Sequence, residues 1–278
     1  MRWQGRNRTS RGFILITVMW AGLALLLAVA AFLAFARQDA LAVRAEVNAA
    51  RAMELARSGL NLALADLGRI NDEQTITPRD GTPTTVEMAE GRVTYRIFDE
   101  SGKIDILLAP SRMVAPTLVQ VAELEGLDSF DAVNIADILA NLVSGPEGDI
   151  RSVYSALIAA GVRGDTAQAA SRYLTTLNMT PQVNPMTAPP AVLSNVPGLG
   201  PSDVEEIMAI RGTDRPLPVL GSAAIWLTAM EGPVYTIEAE ADLTTGGRAL
   251  LRAQVAARGL SFRGGRMQFD VLSFDVVR

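Results

Sequence analysis

The chain has 278 residues, 49% of them hydrophobic, which is enough to bury a core and to form two small folded units. It contains no cysteine and no histidine. Disulfide staples, Ser-His-Asp and Cys-His constellations and His-ligated zinc are therefore excluded, leaving only carboxylate or Ser-Lys chemistry to an enzyme.

From Phe13 to Ala36 no charged residue and no proline interrupts the sequence. About 20 apolar residues rising 1.5 Å each cross a hydrocarbon core of about 30 Å, so this stretch is predicted to be a transmembrane helix. Arg2, Arg6, Arg8 and Arg11 precede it with no acidic residue among them, which keeps the short arm in the cytoplasm and sends the remainder across. A secretory signal peptide would find an A-x-A site at Ala34-Phe35-Ala36, but its apolar core spans only about 7 to 15 residues. A lipoprotein signal needs a cysteine. A plain signal anchor fits the length and leaves Thr17 and the Arg11-Gly12-Phe13 junction without a reason. A basic arm ending in Gly12, with an uncharged helix starting at Phe13, resembles the leader of type IV pilins and type II secretion pseudopilins. The resemblance implies cleavage after Gly12 by prepilin peptidase and methylation of the new amine on Phe13. Without the four arginines of the arm, 21 basic residues face 30 acidic ones, a net charge of −9 and a poor surface for nucleic acid.

The helical pattern continues past the membrane. Val43, Val47, Ala50, Met53, Ala56, Leu60, Ala63 and Leu67 recur at spacings of three and four, and charged residues occupy the other faces. Gly68 is the expected C-cap, giving one helix from Phe13 to Leu67 of roughly 80 Å. Residues 70–91 read as a loop. Gly91 to Phe98 alternates as a strand, and Asp99-Glu-Ser-Gly-Lys103 is expected to turn it back into Ile104–Leu108 as a hairpin. From Ser111 to about Met230 the period is helical, with starts expected at Ser111, Ser129, Asp165, Thr187 and Ser202. Val234–Asp242 and Arg248–Ala256 then alternate around a Thr244–Gly247 turn, and Met267–Val277 reads as a last strand.

The expected fold class is α+β: a long N-terminal transmembrane and amphipathic helix on a small antiparallel pilin-like sheet, interrupted by an all-helical insertion. The expected divisions are 1–12 (leader), 13–36 (transmembrane), 37–68 (amphipathic helix), 69–110 (first strands), 111–230 (insertion) and 231–278 (last strands). Residues from about Met88 onward are expected to form a soluble domain.

Four stretches carry a narrower resemblance: Asp99-Glu-Ser-Gly-Lys-Ile-Asp105, Asn134-Ile-Ala-Asp-Ile-Leu139, Val183-Asn-Pro-Met-Thr-Ala188, and Val192–Gly200 with Ile210-Arg211. Together they resemble the minor pseudopilin K of the general (type II) secretion pathway. That resemblance implies no enzyme. It implies an inner-membrane protein with a periplasmic domain, sitting at the tip of a pseudopilus. The implied partners are the minor pseudopilins I and J, the major pseudopilin, prepilin peptidase and the inner-membrane assembly platform. Some relatives bind calcium. This chain has Ala140–Asp149 where members commonly carry an acidic, tryptophan-containing run, so no ligands are assigned and no cofactor is expected. Ten acidic residues lie between Asp99 and Ile150 against Lys103 and Arg112. Without a tight D-x-D-x-D loop they read as a solvated face.

Val196-Pro-Gly-Leu-Gly-Pro-Ser-Asp-Val-Glu-Glu-Ile-Met-Ala-Ile-Arg211 also matches a helix-hairpin-helix, whose turn amides bind DNA phosphate. It resembles the DNA-binding domain of competence proteins, so a membrane-anchored DNA receptor is the second reading. Asp203, Glu205 and Glu206 argue against it, because they open the helix where a phosphate would sit. A secreted carboxylate enzyme, the third reading, rests only on scattered Asp and Glu.

Overall fold

The computed structural model describes residues 10–68, 77–124, 126, 132–144, 152–213, 215–260 and 267–277. Helix α1 runs from Ser10 to Leu67 without a break, and the amide of Gly68 closes it on the Leu64 carbonyl at 3.0 Å. Its first half, Phe13 to Val47, stands clear of the protein, with Phe13, Leu25 and Phe32 about 70% exposed. This helix is long and apolar enough to cross a membrane.

The sheet is antiparallel throughout and has the order β1-β2-β5-β6-β7. Its strands are β1 (Thr84–Met88) and β2 (Gly91–Asp99), then β5 (Val234–Leu243), β6 (Arg248–Leu260) and β7 (Met267–Val277). Strands β3 (Ile104–Asp105) and β4 (Leu174–Thr175) form a separate parallel pair. The expected hairpin between Gly91–Phe98 and Ile104–Leu108 does not form. Instead β2 is paired with β1, which lies inside the expected loop, and on its other side with β5.

The second half of α1 lies across β2, β5 and β6. Ala52, Leu55, Ala56, Leu60, Ala63 and Leu67 are buried there against Val93, Tyr95, Ile237, Ala239, Leu251 and Ala253. The expected contact face is right from Ala56 onward, but Val43, Val47 and Ala50 are exposed. The reason is the reach of the sheet: its β5–β6 turn ends at Asn48, whose side-chain amide donates to the Thr245 carbonyl at 3.2 Å. Gly59 lets helix and sheet approach, since a Cβ there would stand 2.2 Å from Cγ1 of Val93. A domain starting near Met88 would lack both β1 and this helix and would leave the apolar side of the sheet bare. The self-contained unit starts near Asn48.

Everything between β2 and β5 is one excursion from neighbouring strands, because Asp99 at its entrance pairs with Tyr235 at its exit. It holds α2 (Ser111–Leu124), α3 (Ala132–Ser144), α4 (Val153–Ala159), α5 (Gly164–Ala170), α6 (Pro190–Leu193), α7 (Pro201–Ile210) and a 3-10 turn at Gly221–Trp226. Its core is its own, built around Met113, Leu118, Leu139, Leu157, Leu193 and Ile207. The start at Ser111 is where expected, and Ser152 caps an unforeseen helix by accepting from the Ser155 amide at 3.1 Å. Thr187 starts no helix; α6 begins at Pro190, a residue suited to a first helical turn. Ser129 lies outside the described residues.

Candidate functional site

The Gly12–Phe13 junction comes first. The Gly12–Phe13 bond falls in the first turn of α1, and the Phe13 side chain is exposed. One turn later the hydroxyl of Thr17 donates to the Phe13 carbonyl at 2.9 Å. The hydroxyl in this apolar stretch is thereby satisfied within its own helix, an arrangement open to threonine in lipid. No carboxylate stands in Phe13–Ala36; in a bilayer one would cost about 3 kcal/mol or more unless paired.

The second site is a buried polar knot where the excursion leaves and rejoins the sheet. Asp99, Glu100, Ser101, Lys103 and Asp105 are all buried. Residues Glu100–Gly102 form a 3-10 turn capped by Asp99, which accepts from the Ser101 amide at 2.9 Å and its hydroxyl at 2.5 Å. Asp99 also accepts from the Gly232 amide at 3.3 Å and, at 3.4 Å each, from the side chains of Asn184 and Thr187. Burial pushes its carboxyl above the usual carboxylate range, although the donors from Ser101, Gly232 and Asn184 pull the other way. Glu100 accepts from Lys103 Nζ at 2.6 Å, from the Thr236 hydroxyl on β5 at 2.6 Å and from the Thr175 hydroxyl on β4 at 2.5 Å. One carboxylate thus ties its own turn to the sheet and to the insertion.

Asp105 accepts from the amides of Leu107 at 2.8 Å and Met179 at 2.9 Å, and burial raises its carboxyl too. The Asn184 amide donates to the Ser101 carbonyl at 2.7 Å. Gly102 lies so close to the Thr187–Ala188 peptide that a Cβ would stand 2.7 Å from the Thr187 carbonyl carbon. Arg211 donates to the carbonyls of Pro185 and Ala188, and burial lowers the pKa of its guanidinium. Three of the sequence stretches, around Asp99–Asp105, Val183–Ala188 and Arg211, therefore meet in one place. Asn134–Leu139 does not join them: it lies on α3, with Ile135, Ala136 and Leu139 in the core of the insertion.

In the helix-hairpin-helix stretch, the Asp203 carboxylate accepts from the Gly200 amide at 2.7 Å. A turn amide that a phosphate would need is occupied by a carboxylate, and the turn packs at Gly198 against Ser222 and Ala223. The geometry is that of a tight turn between packed helices. Among the described residues no group of three or more acidic side chains is placed to hold a metal ion. Glu147 and Asp149 lie outside those residues. Beside the knot, a cleft of about 330 Å³ opens between α4, α5 and the far face of the sheet, lined by Lys103, Tyr154, Gln168, Thr236, Arg252 and Asp275 among others. Sequence reasoning did not foresee it, because its lining is gathered from elements spread along the chain from Phe98 to Asp275.

No family model matches the chain, and no curated protein matches it. Among solved structures, it is similar to a chain of the GspK-GspI-GspJ complex from the Type 2 Secretion System of enterotoxigenic Escherichia coli. The identity is 14% and the TM-score 0.46, covering 87% of this chain and 99% of that one.

Proposed function

We propose that the chain is a minor pseudopilin of the K type in a type II secretion system. In this reading Phe13–Ala36 holds it in the inner membrane, and the remainder lies in the periplasm. Prepilin peptidase removes residues 1–12 and the Phe13 amine is methylated. Its helix is then drawn into a short pseudopilus together with the I and J subunits, and it stands at the tip, where it helps start assembly for export of folded proteins across the outer membrane. Its work is assembly rather than catalysis.

The observation that carries the reading is α1 itself. One unbroken helix is bare and apolar where a membrane or a bundle of like helices would surround it, and covered by a sheet only from about Asn48. Arg37 to Val47 adds roughly 16 Å of exposed helix between membrane and sheet. The internally bonded Thr17 supports the tip position. A subunit within a shaft uses a carboxylate to engage the amine of its neighbour, whereas a terminal subunit has no subunit above to engage. The excursion from Glu100 to Pro233, bulky and folded on its own core, fits the same place, since nothing has to stack over it.

The test is to supply the chain in limiting amounts, with a crosslinkable tag, to filaments built from the major subunit. Label at one end only is expected, and no filament should form from this chain alone. Label distributed along the shaft contradicts the reading.

A further inference from the structure

We propose that the open edge of β7, along Ser273–Val277, takes a β-strand from a different polypeptide, one with a lysine or arginine opposite Asp275 and an apolar residue on each side of it. Strand β7 ends the order of the five-stranded sheet, and no described strand pairs with its outer side. Unpaired amides and carbonyls along such an edge are a template for strand addition.

The two faces of the edge say what kind of strand fits. Phe274 and Val276 pair with Ala253 and Leu251, so they lie on the side of the sheet that α1 covers. But α1 packs on β2, β5 and β6, leaving Phe274 43% and Val276 47% exposed at the rim. An incoming strand with apolar residues opposite them would extend the covered face.

On the far side, the register runs Arg96, Glu238, Arg252, Asp275 across four strands, alternating in sign. Arg252 is committed to Glu238 at 2.6 Å. Asp275 ends the row at the open edge, and a cation on the next strand continues the alternation. A pattern of apolar, basic, apolar residues reads the same in either direction, so it satisfies both parallel and antiparallel addition.

The same strand of a second copy does not fit, since Met267–Val277 contains Asp270 and Asp275 and no basic residue, and the apolar-basic-apolar triplets at Arg96 and Arg252 lie in strands already paired on both sides. The register also limits the site. It passes from Gln254 opposite Ser273 to Val255 opposite Val271, so Leu272 is a bulge and the regular edge begins at Ser273. The opposite edge, β1, exposes Thr85 and Glu87 and keeps Val86 and Met88 half-buried, so it offers no such rim.

The probe is a fluorescent nine-residue peptide with Val-Lys-Val at its centre, added to the full chain in detergent micelles. Binding is followed by anisotropy, and amide hydrogen exchange locates it. Slower exchange over Ser273–Val277 is expected. Affinity should fall about two- to fivefold, the size of one cross-strand charge pair, when glutamate replaces the central lysine or when the chain carries Asp275→Ser. It should be lost when alternate peptide amides are methylated. The Asp275→Ser chain keeps the Arg252–Glu238 pair and should keep its far-ultraviolet spectrum. Absence of binding, protection at β1 instead, or binding indifferent to both charge changes overturns the proposal. So does edge protection that rises with the concentration of the chain alone, which would make the occupant a second copy.

Discussion

Replacing Lys103 by methionine tests the knot where it is most exposed to failure. Methionine keeps most of the stem and removes the charge that stands 2.6 Å from Glu100 Oε1. At an effective dielectric of about 20, two charges at that distance attract by about 6 kcal/mol. Desolvation offsets part of this, and breaking one side of a buried pair generally costs about 3 to 5 kcal/mol, because the other charge is left uncompensated. Glu100 is 2% exposed and, among the described residues, has the Thr175 and Thr236 hydroxyls alone to fall back on, so the upper part of that range applies. For a domain stable by about 5 to 15 kcal/mol the loss is a large fraction. Urea unfolding of the full chain in micelles measures it, read through Trp226, whose ring lies 4.8 Å from the Arg112 guanidinium inside the excursion. With a slope of about 2 kcal/mol/M, the midpoint should fall by roughly 2 to 2.5 M. The double variant Glu100→Met with Lys103→Met should recover part of it. A loss below about 1 kcal/mol, the value of an exposed pair, would refute the idea that this ion pair locks the excursion to the sheet.

Three further outcomes are expected. Burial raises the Asp99 carboxyl, so the folded chain holds that proton to higher pH than the unfolded chain does, and the stability it contributes drains away as pH rises from about 3.9. The stability advantage of the parent chain over Asp99→Asn should therefore shrink as pH rises through that window in parallel urea titrations, and an advantage that grows with pH contradicts the assignment. Gly59→Ala gains up to about 1 kcal/mol of helix propensity but drives a methyl into Val93 at a cost of about 1 to 3 kcal/mol. A lower melting temperature is expected, and a higher one would show that helix and sheet can part there. A fragment beginning at Asn48 should unfold cooperatively, whereas one beginning at Met88 should bind a hydrophobic dye and aggregate.

What was legible in the sequence follows from how local each signal is. An uncharged run from Phe13 to Ala36 needs no tertiary context to be a helix, and β5 to β7 announce themselves by alternation and by the Gly246-Gly247 turn. Strand β1 was hidden because Thr84, Thr85 and Glu87 are polar and the strand is half-exposed. The Asp99–Lys103 turn misled for a related reason. Its residues are those of a solvent turn, yet here they point inward and bond to Thr175, Asn184 and Thr236, partners 75 or more residues away. Parallel pairing of Ile104 with Leu174 has no local signature at all. Along α1, valines at 43 and 47 suggested a longer contact face than the small residues Ala52, Ala56 and Gly59 that the sheet actually meets. The sequence stretches that carried the family resemblance were legible as words, but only the folded chain shows that three of them are one knot.

The central claim is that the chain is a processed pseudopilin, and its N-terminus decides it most directly. Intact-mass analysis of the full chain, produced with and without prepilin peptidase, should show a product beginning at Phe13, one methyl group heavier on its amine, only when the peptidase is present. A chain beginning after Ala36, or one left uncut in a competent host, contradicts the account.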